Sequence, residues 1–540
     1  MSVAVRRGLA VSTLTVFVLT LVSSALGYFR EGGVAAIFGA SADTDAYLVA
    51  FFIPNAIFLI LVSGTLSQAF VPVFVEYLTT DRREEAWHVG SSVLNLLTPL
   101  LLALAAAASL GAPLVVRALA PGLDPEVARS AEGLTRVLMP IVLFLSLSAV
   151  VTALLNSLGE FTVPALSPVV GALLVIASLF TLGRWMGIYG LALGTLASSA
   201  VQLLMQLPWL IRSGFRYSFA FDFRHPGVRR IALLCGPVVV YVALAHTSVV
   251  VERIIASGLE TGSISMLNYA MRVFTMSVAF PISLGIVLFP TLSSLAVTES
   301  WQRLSRHVVR AVNIVILVVT PLSVGFIIGG LPLVRLLFER GRFGDQDAST
   351  TAMILAGYSL GMIPTAATLL FIRALYSVRD MVTPALAEGV NLLLYIPVSI
   401  GLAHLFGAPG LAGARAFSFY VVAALVFYRL RRRVPLWESA ADWAHALKPL
   451  LAGAFTGLVL GLVVSPAAAA LVGHDDFLAK ALTVSVLAAA GVLLYVPACL
   501  LLRAEGSEDA FALVRRIVTL TPGVRLVPAI QGALGRRQRS

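Results

Sequence analysis

Apolar residues fill this chain in long, nearly unbroken runs, set apart by short polar connections rich in arginine. Runs such as 89–110, 231–251 and 482–502 show neither the two-residue alternation of a half-buried strand nor the one-sided stripe of a soluble helix. Each is long enough to cross about 30 Å of hydrocarbon, which takes roughly 20 apolar residues. The bilayer core offers no water to backbone N–H and C=O groups, so such segments close their hydrogen bonds within helices. The pattern predicts about fourteen spans, at 8–29, 46–76, 89–112, 133–156, 163–182, 187–211, 230–251, 264–295, 309–330, 351–377, 384–403, 409–428, 447–472 and 479–502. The second and eighth are long enough to tilt or protrude. The N-terminal run is too long for a signal peptide, and no small-residue cleavage site precedes a soluble domain, so it reads as a retained first helix.

Composition agrees with this reading. Of the 540 residues, 59% are hydrophobic and 12% charged, about half the charge of a soluble domain, and the mean hydropathy is +0.94. The net charge of +11 would suggest nucleic acid in a soluble protein. Here its placement points instead to membrane lipids. With Arg6 and Arg7 in the cytoplasm, the loops holding Arg82 and Arg83, Arg212 to Arg230, Arg303 to Arg310, Arg379, and Arg429 to Lys448 also face inward. That is the arrangement the positive-inside rule demands of an even helix number, with both termini cytoplasmic in a bacterial inner membrane. The basic tail, 505–540, reads as solvated or as a surface helix on anionic lipid.

Ionisable residues inside spans are costly and mark cavities or partners. They include Arg30 and Glu31 at the end of the first helix, Asp45 opening the second, Arg136, Glu252 and Arg253 closing the seventh, Arg272, Arg373, Glu388 and Arg415. Arginine suits phosphate because its planar fork binds two oxygens and stays charged. An arginine-lined cavity therefore predicts an anionic substrate, held by Arg30, Asp45, Arg272 and Arg373. Glu388 and Arg415, on consecutive helices, are expected to form an ion pair, with Glu252 and His246 as further candidates for an ion-pair or cation site. Arg272 has Glu252 as an alternative partner. The sequence carries no P-loop, no HExxH and no paired-cysteine motif, and Cys235 and Cys499 read as small buried hydrophobes. Neither an enzyme nor a metal centre is expected, and no cofactor beyond coupling to the membrane potential or a monovalent cation.

The stretch 27–74, GYFREGGVAAIFGASADTDAYLVAFFIPNAIFLILVSGTLSQAFVPVF, resembles the N-terminal signature of the MurJ (MviN) family through Gly27, Arg30, Glu31, Gly39, Asp45, Pro54, Asn55, Gln68 and Pro72, among others. LNSLGEFTVPALSP (155–168), GSISMLNYAMR (262–272), LFPTLSSLA (288–296), VRLLFERGRF (334–343) and RALYSVRDMVTP (373–384) extend the likeness over residues 8 to 430. The resemblance implies an all-α polytopic fold of the multidrug/oligosaccharidyl-lipid/polysaccharide exporter superfamily. Two six-helix lobes, 1–212 and 213–433, would surround a central cavity, with helices 13 and 14 (434–504) forming a groove for a lipid tail. It further implies a flippase that moves lipid II, an undecaprenyl-diphosphate peptidoglycan precursor, by alternating access, in company with cell-wall synthesis proteins. Some family members hold a monovalent cation among helices 7, 11 and 12, a place that Arg415 would fill here. The chain departs from the family's charges at Ser24, Phe58 and Ser63. Those departures leave open a different polyprenyl-diphosphate saccharide, or a paralogue that does not transport.

Overall fold

In a computed structural model, which describes residues 3–61, 65–380, 382–467 and 477–504, the regular elements are all helices. In chain order they are α1 (Val3–Phe38), α2 (Ala42–Leu61), α3 (Thr65–Thr79), α4 (Arg83–Leu110), α5 (Ala112–Leu119), α6 (Pro125–Leu138), α7 (Ile141–Ser157), α8 (Thr162–Phe180), α9 (Leu182–Met186) and α10 (Ile188–Arg212). There follow α11 (Pro226–Ala256), α12 (Ser263–Val297), α13 (Trp301–Ile328), α14 (Gly330–Phe338), α15 (Asp345–Leu360), α16 (Met362–Ser377), α17 (Val382–Arg431), α18 (Ala440–Val459) and α19 (Phe477–Leu501). Among the described residues ten helices are long and apolar enough to cross a bilayer, or eleven when α15 and α16, bent by 42° at their junction, count as one. The protein is an integral membrane protein. Ser63, Asp475 and the 505–540 tail lie outside the described residues.

Several predicted boundaries change, each for a local reason. The run 46–76 is two helices, α2 and α3. The first span does not stop at 29. Gly32 and Gly33 let α1 run on by admitting the Leu337 carbonyl and the Leu179 side chain, so Arg30 and Glu31 lie within the helix and not beyond its end. At about 1.5 Å per residue, the 50 residues of α17 would stretch about 75 Å, more than twice the hydrocarbon thickness. Gly407, at φ +62, breaks it and yields the two arms predicted at 384–403 and 409–428.

The chain forms two compact units. Unit 1 comprises residues 1–276, 330–361 and 381–425, and unit 2 comprises 277–329, 362–380 and 426–540. This grouping by packing differs from the lobe borders expected at 212 and 433, because unit 1 takes in segments from both expected lobes.

Lipid tails are as apolar as leucine, so helices in a bilayer associate through close packing and small residues. Both units show this. In unit 1, Gly190, Gly194 and Ser198 recur every four residues on one face of α10, against α8 and the turn after it. A Cβ at Gly190 would collide with the Leu182 carbonyl, and one at Gly194 with the Ser178 side chain. In unit 2, Gly453, Gly457 and Gly461 lie along one face of α18 and its continuation. They meet Thr320, Val324 and Ile328 of α13 in matching four-residue steps. A Gly457→Leu substitution should therefore lower the melting temperature of the detergent-solubilised protein by the equivalent of about 1–3 kcal/mol of overpacking. Gly401→Leu, where nothing lies within 4 Å, should leave it unchanged. Equal melting for the two variants would remove this account of the α13–α18 contact.

Candidate functional site

Of the ionisable residues flagged in the sequence, most fall into three groups in unit 1; Arg136, in the last turn of α6, is exposed, and Arg373 belongs to unit 2. The first group closes one end of the unit. Asp45, in the first turn of α2, is buried. Its Oδ2 accepts from the Gly262 N–H at 2.7 Å, and its Oδ1 accepts from the Ser265 N–H at 2.8 Å and the Ser265 hydroxyl at 2.5 Å. A carboxylate taken out of water is tolerable when fixed donors replace its hydration, and the first turn of α12 supplies them. Gly262 has φ +90 and lies against the Ala40 carbonyl, so its amide can face Asp45 only in a left-handed conformation with no Cβ. Nearby, the Gly122 N–H donates to the Ser257 hydroxyl at 3.1 Å, and the Arg342 N–H donates to the Ala36 carbonyl at 2.9 Å. Segments far apart in the chain are thereby fastened at one end.

The second group lies further along the same helices. Arg272 follows Ser265 by two helical turns, about 10 Å of rise. Its guanidinium stands 5.1 Å from the centroid of the Tyr28 ring on α1. A methyl group at Gly27 would sit 2.6 Å from Arg272 Nη2, so the guanidinium would have to shift to admit one. Arg272 Nε is buried and has no hydrogen-bond partner, so the alternative pairing with Glu252 does not form. Arg30, on the same stretch of α1, bonds the neighbouring Glu31 at 2.7 Å and is about one-third exposed. Asp45 does not bond Arg30, because all three of its bonds go to Gly262 and Ser265 at the start of α12. Arg253, next to Glu252, stacks 4.6 Å from the Phe52 ring centroid on α2, with Nε and one Nη buried and unpartnered.

The third group corrects an expected pairing. Arg415 pairs with Glu252, not with Glu388. Its Nε lies 3.3 Å from Glu252 Oε2, both side chains about one-tenth exposed, and its guanidinium sits 5.3 Å from the Tyr395 ring. The Tyr358 hydroxyl donates to Glu252 Oε1 at 3.0 Å, and that of Tyr395 donates to Oε2 at 3.3 Å. Glu388 instead accepts from Asn391 at 3.4 Å, and the Asn391 Oδ1 accepts from Ser418 at 2.7 Å. The reason is register. The break at Gly407 folds the two arms of α17 so that Arg415 faces α11, while Glu388 keeps a partner one turn along its own helix. His246 lies half-buried on α11, before Glu252. In unit 2, Arg373 lies 5.9 Å from the Phe289 ring, with its stem against Gly285.

Sequence reasoning missed Tyr358 and Tyr395, since a tyrosine in an apolar run carries no mark of which face it occupies. It also gave no role to Ser265, although that residue lies within the GSISML motif. The Glu252–Arg415 contact predicts an asymmetric mutational result. Glu252→Gln or Arg415→Met alone leaves a buried charge without its partner and should destabilise by about 3–5 kcal/mol. The double variant should recover much of that loss in a thermal-shift measurement. A double variant less stable than both singles would show that the pair is not the interaction that matters.

A family profile described as lipid II flippase MurJ matches residues 34–482 of this chain. A protein of Burkholderia cenocepacia named lipid II flippase MurJ is 29% identical over 451 residues, covering 82% of this chain and 87% of its own length. One of Buchnera aphidicola subsp. Acyrthosiphon pisum, named probable lipid II flippase MurJ, is 30% identical over 84% of this chain and 89% of its own. Among solved structures, one titled lipid II flippase MurJ, inward closed conformation, shares the fold at a TM-score of 0.74, with 24% identity over 92% of this chain and all of that one. An inward-facing multidrug transporter of the MATE family matches at 0.65 with 16% identity, over 76% of this chain and 94% of its own. On the extent of the profile match and the identity to these relatives, the chain belongs to the MurJ lipid II flippase family.

Proposed function

We propose that this protein translocates lipid II from the cytoplasmic to the outer leaflet of a bacterial cytoplasmic membrane by alternating access, with both termini in the cytoplasm. The observation that carries the reading is Arg272, a guanidinium held against the Tyr28 ring of α1, its Nε buried without a hydrogen-bond partner among the described residues. A positive group of this kind suits a pyrophosphate, and Arg30, two residues after Tyr28 on α1, is the second candidate. The three positions where family charges are missing add nothing to this task. Ser24 turns its hydroxyl back to the Thr20 carbonyl, Phe58 packs against the apolar core, and Ser63 lies outside the described residues. The pyrophosphate therefore falls to Arg272 and Arg30.

The closed end formed by Asp45, Gly262 and Ser265 is the outer gate in this reading, and substrate contacts bias its opening. A ligand shifts such an equilibrium only through its differential affinity for the two states. The Arg415 guanidinium stands where a monovalent cation would neutralise Glu252. The coupling we propose accordingly needs no bound cation there and draws on the membrane potential. The lipid tail runs along the last two helices. The missing family charges favour a second substrate reading, another polyprenyl-diphosphate saccharide.

Arg272→Ala, at normal abundance, should lower lipid II translocation at least about tenfold, the equivalent of one lost charge-assisted hydrogen bond of about 1.5–3 kcal/mol. Unimpaired transport by that variant would remove Arg272 from the site. Rescue of a bacterium depleted of its lipid II flippase distinguishes the two substrates, since a protein specific for another saccharide would not restore growth. Reporter tags at Arg83, Arg224 and Arg432 should read as cytoplasmic and one near Asp124 as external. A cytoplasmic signal from Asp124 would overturn the orientation.

A further inference from the structure

The connection from α10 to α11 carries a feature that translocation does not use. Residues 215–223 read FRYSFAFDF, with an aromatic at every second position, the period of an extended strand. Yet the segment pairs with no other strand among the described residues. Its backbone is fixed to α4 instead. The Ser218 N–H donates to the Ser91 hydroxyl at 3.0 Å. Asn95 Nδ2 donates to the Ser218 and Ala220 carbonyls at 3.0 and 2.9 Å, and its Oδ1 accepts from the Tyr217 hydroxyl at 2.6 Å. Ser218 and Ala220 are thus held to the helix, and Tyr217 keeps its hydroxyl there while its ring stays exposed. Phe215 is buried at the start. Tyr217, Phe219, Phe221 and Phe223 are then 58%, 81%, 48% and 65% exposed, with Phe219 and Phe221 in edge contact at 5.1 Å. Four exposed aromatic rings on a pinned backbone form a patch with no cover among the described residues, of the kind that marks an interaction surface.

Position and charge decide what covers it. Ser91 and Asn95 share one face of α4, at a four-residue step. Seven residues on, about 10 Å along the helix, that same face carries Leu102, exposed and apolar. On a spanning helix, such a surface faces acyl chains. The aromatic segment therefore lies on the lipid side of α4, between the acidic first turn at Glu84 and Glu85 and the apolar stretch, which is the depth of a headgroup layer. Aromatic side chains concentrate at that depth.

The flanking charges are basic. Arg212 lies over the Trp209 ring at 5.0 Å, and Arg224 lies over Phe223 at 5.6 Å, with Arg229 exposed beside them. Arg216 is paired with Glu84 and Arg230 with Glu76. The acid of the segment, Asp222, is turned back to His88 and to the N–H groups of Arg224 and His225. What faces outward is thus aromatic and positive.

We propose that residues 217–224 form an interfacial anchor that inserts its aromatic side chains into the headgroup layer of an anionic leaflet, fixing α4 and the start of α11 at a set depth. Basic residues near a membrane surface each contribute about 1 kcal/mol of attraction to anionic lipid, and the aromatics add apolar burial.

The test uses the full-length protein with Cys235 and Cys499 replaced, spin-labelled through Phe219→Cys or Phe223→Cys, in vesicles of phosphatidylglycerol and phosphatidylethanolamine. Both positions are exposed, so the label disturbs no packing, and wild-type melting confirms that each variant is folded. Power-saturation spectra should show collision with oxygen, which partitions into lipid, exceeding collision with a water-soluble nickel chelate. In vesicles of phosphatidylcholine alone, the balance should shift toward nickel. Nickel-dominated collision in the anionic vesicles would place the aromatics in water and overturn the anchor. So would collision with both reagents suppressed, the signature of a protein covering the patch.

Discussion

A carboxylate buried between membrane helices must find donors inside the protein, and Asp45 finds all of its donors on one turn of another helix. Two backbone amides and a hydroxyl of α12 replace its water. Each hydrogen bond to a charged group contributes about 1.5–3 kcal/mol, and removing one partner exposes the desolvation cost of the other. The α2–α12 junction is therefore held as long as its end stays dry, and it loosens once water can enter and solvate the carboxylate. The neighbouring close approaches follow from it, since Gly262 against Ala40 and Gly341 against the Ala36 carbonyl are contacts that only glycine permits.

That junction sets where Arg272 stands. Two turns of α12 carry the guanidinium from the clasp to the face of Tyr28, and the absent side chain at Gly27 lets it lie flat on α1. A cation over an aromatic ring is stabilised without being neutralised. Among the described residues Arg272 forms no ion pair, whereas Arg30 is engaged with Glu31. The two arginines differ in this respect, one carried by α12 and the other by α1.

Glu252 and Arg415 solve a similar problem with a second charge. Two tyrosine hydroxyls and a guanidinium surround one carboxylate, joining α11, α15 and both arms of α17. A buried pair of this kind adds little net stability over an apolar replacement, but it penalises any arrangement that separates the partners. Its role in unit 1 is to specify register. A resident guanidinium also gives the carboxylate a counter-charge that no change in ionic composition can remove.

The sequence by itself determined the class, the helices and the family. Runs of about 20 apolar residues admit one spanning structure, and the arginine-rich loops between them are independent of any tertiary contact. It also identified Arg30, Asp45, Glu252, Arg272 and Arg415 as residues requiring explanation, because a charge in hydrocarbon is conspicuous wherever it points. Which charge meets which was decided only by the tertiary structure. Glu388 and Arg415 are closer in sequence than Glu252 and Arg415, yet the turn at Gly407 and the rotation of each helix about its axis direct Arg415 to α11. A change of one residue in helical phase moves a side chain by about 100°, and an apolar segment with no polar face does not record that phase. For the same reason the two tyrosines on Glu252, the serine on Asp45 and the glycine ladders of α10 and α18 were present as letters, but gained a role only when the facing helix was in place.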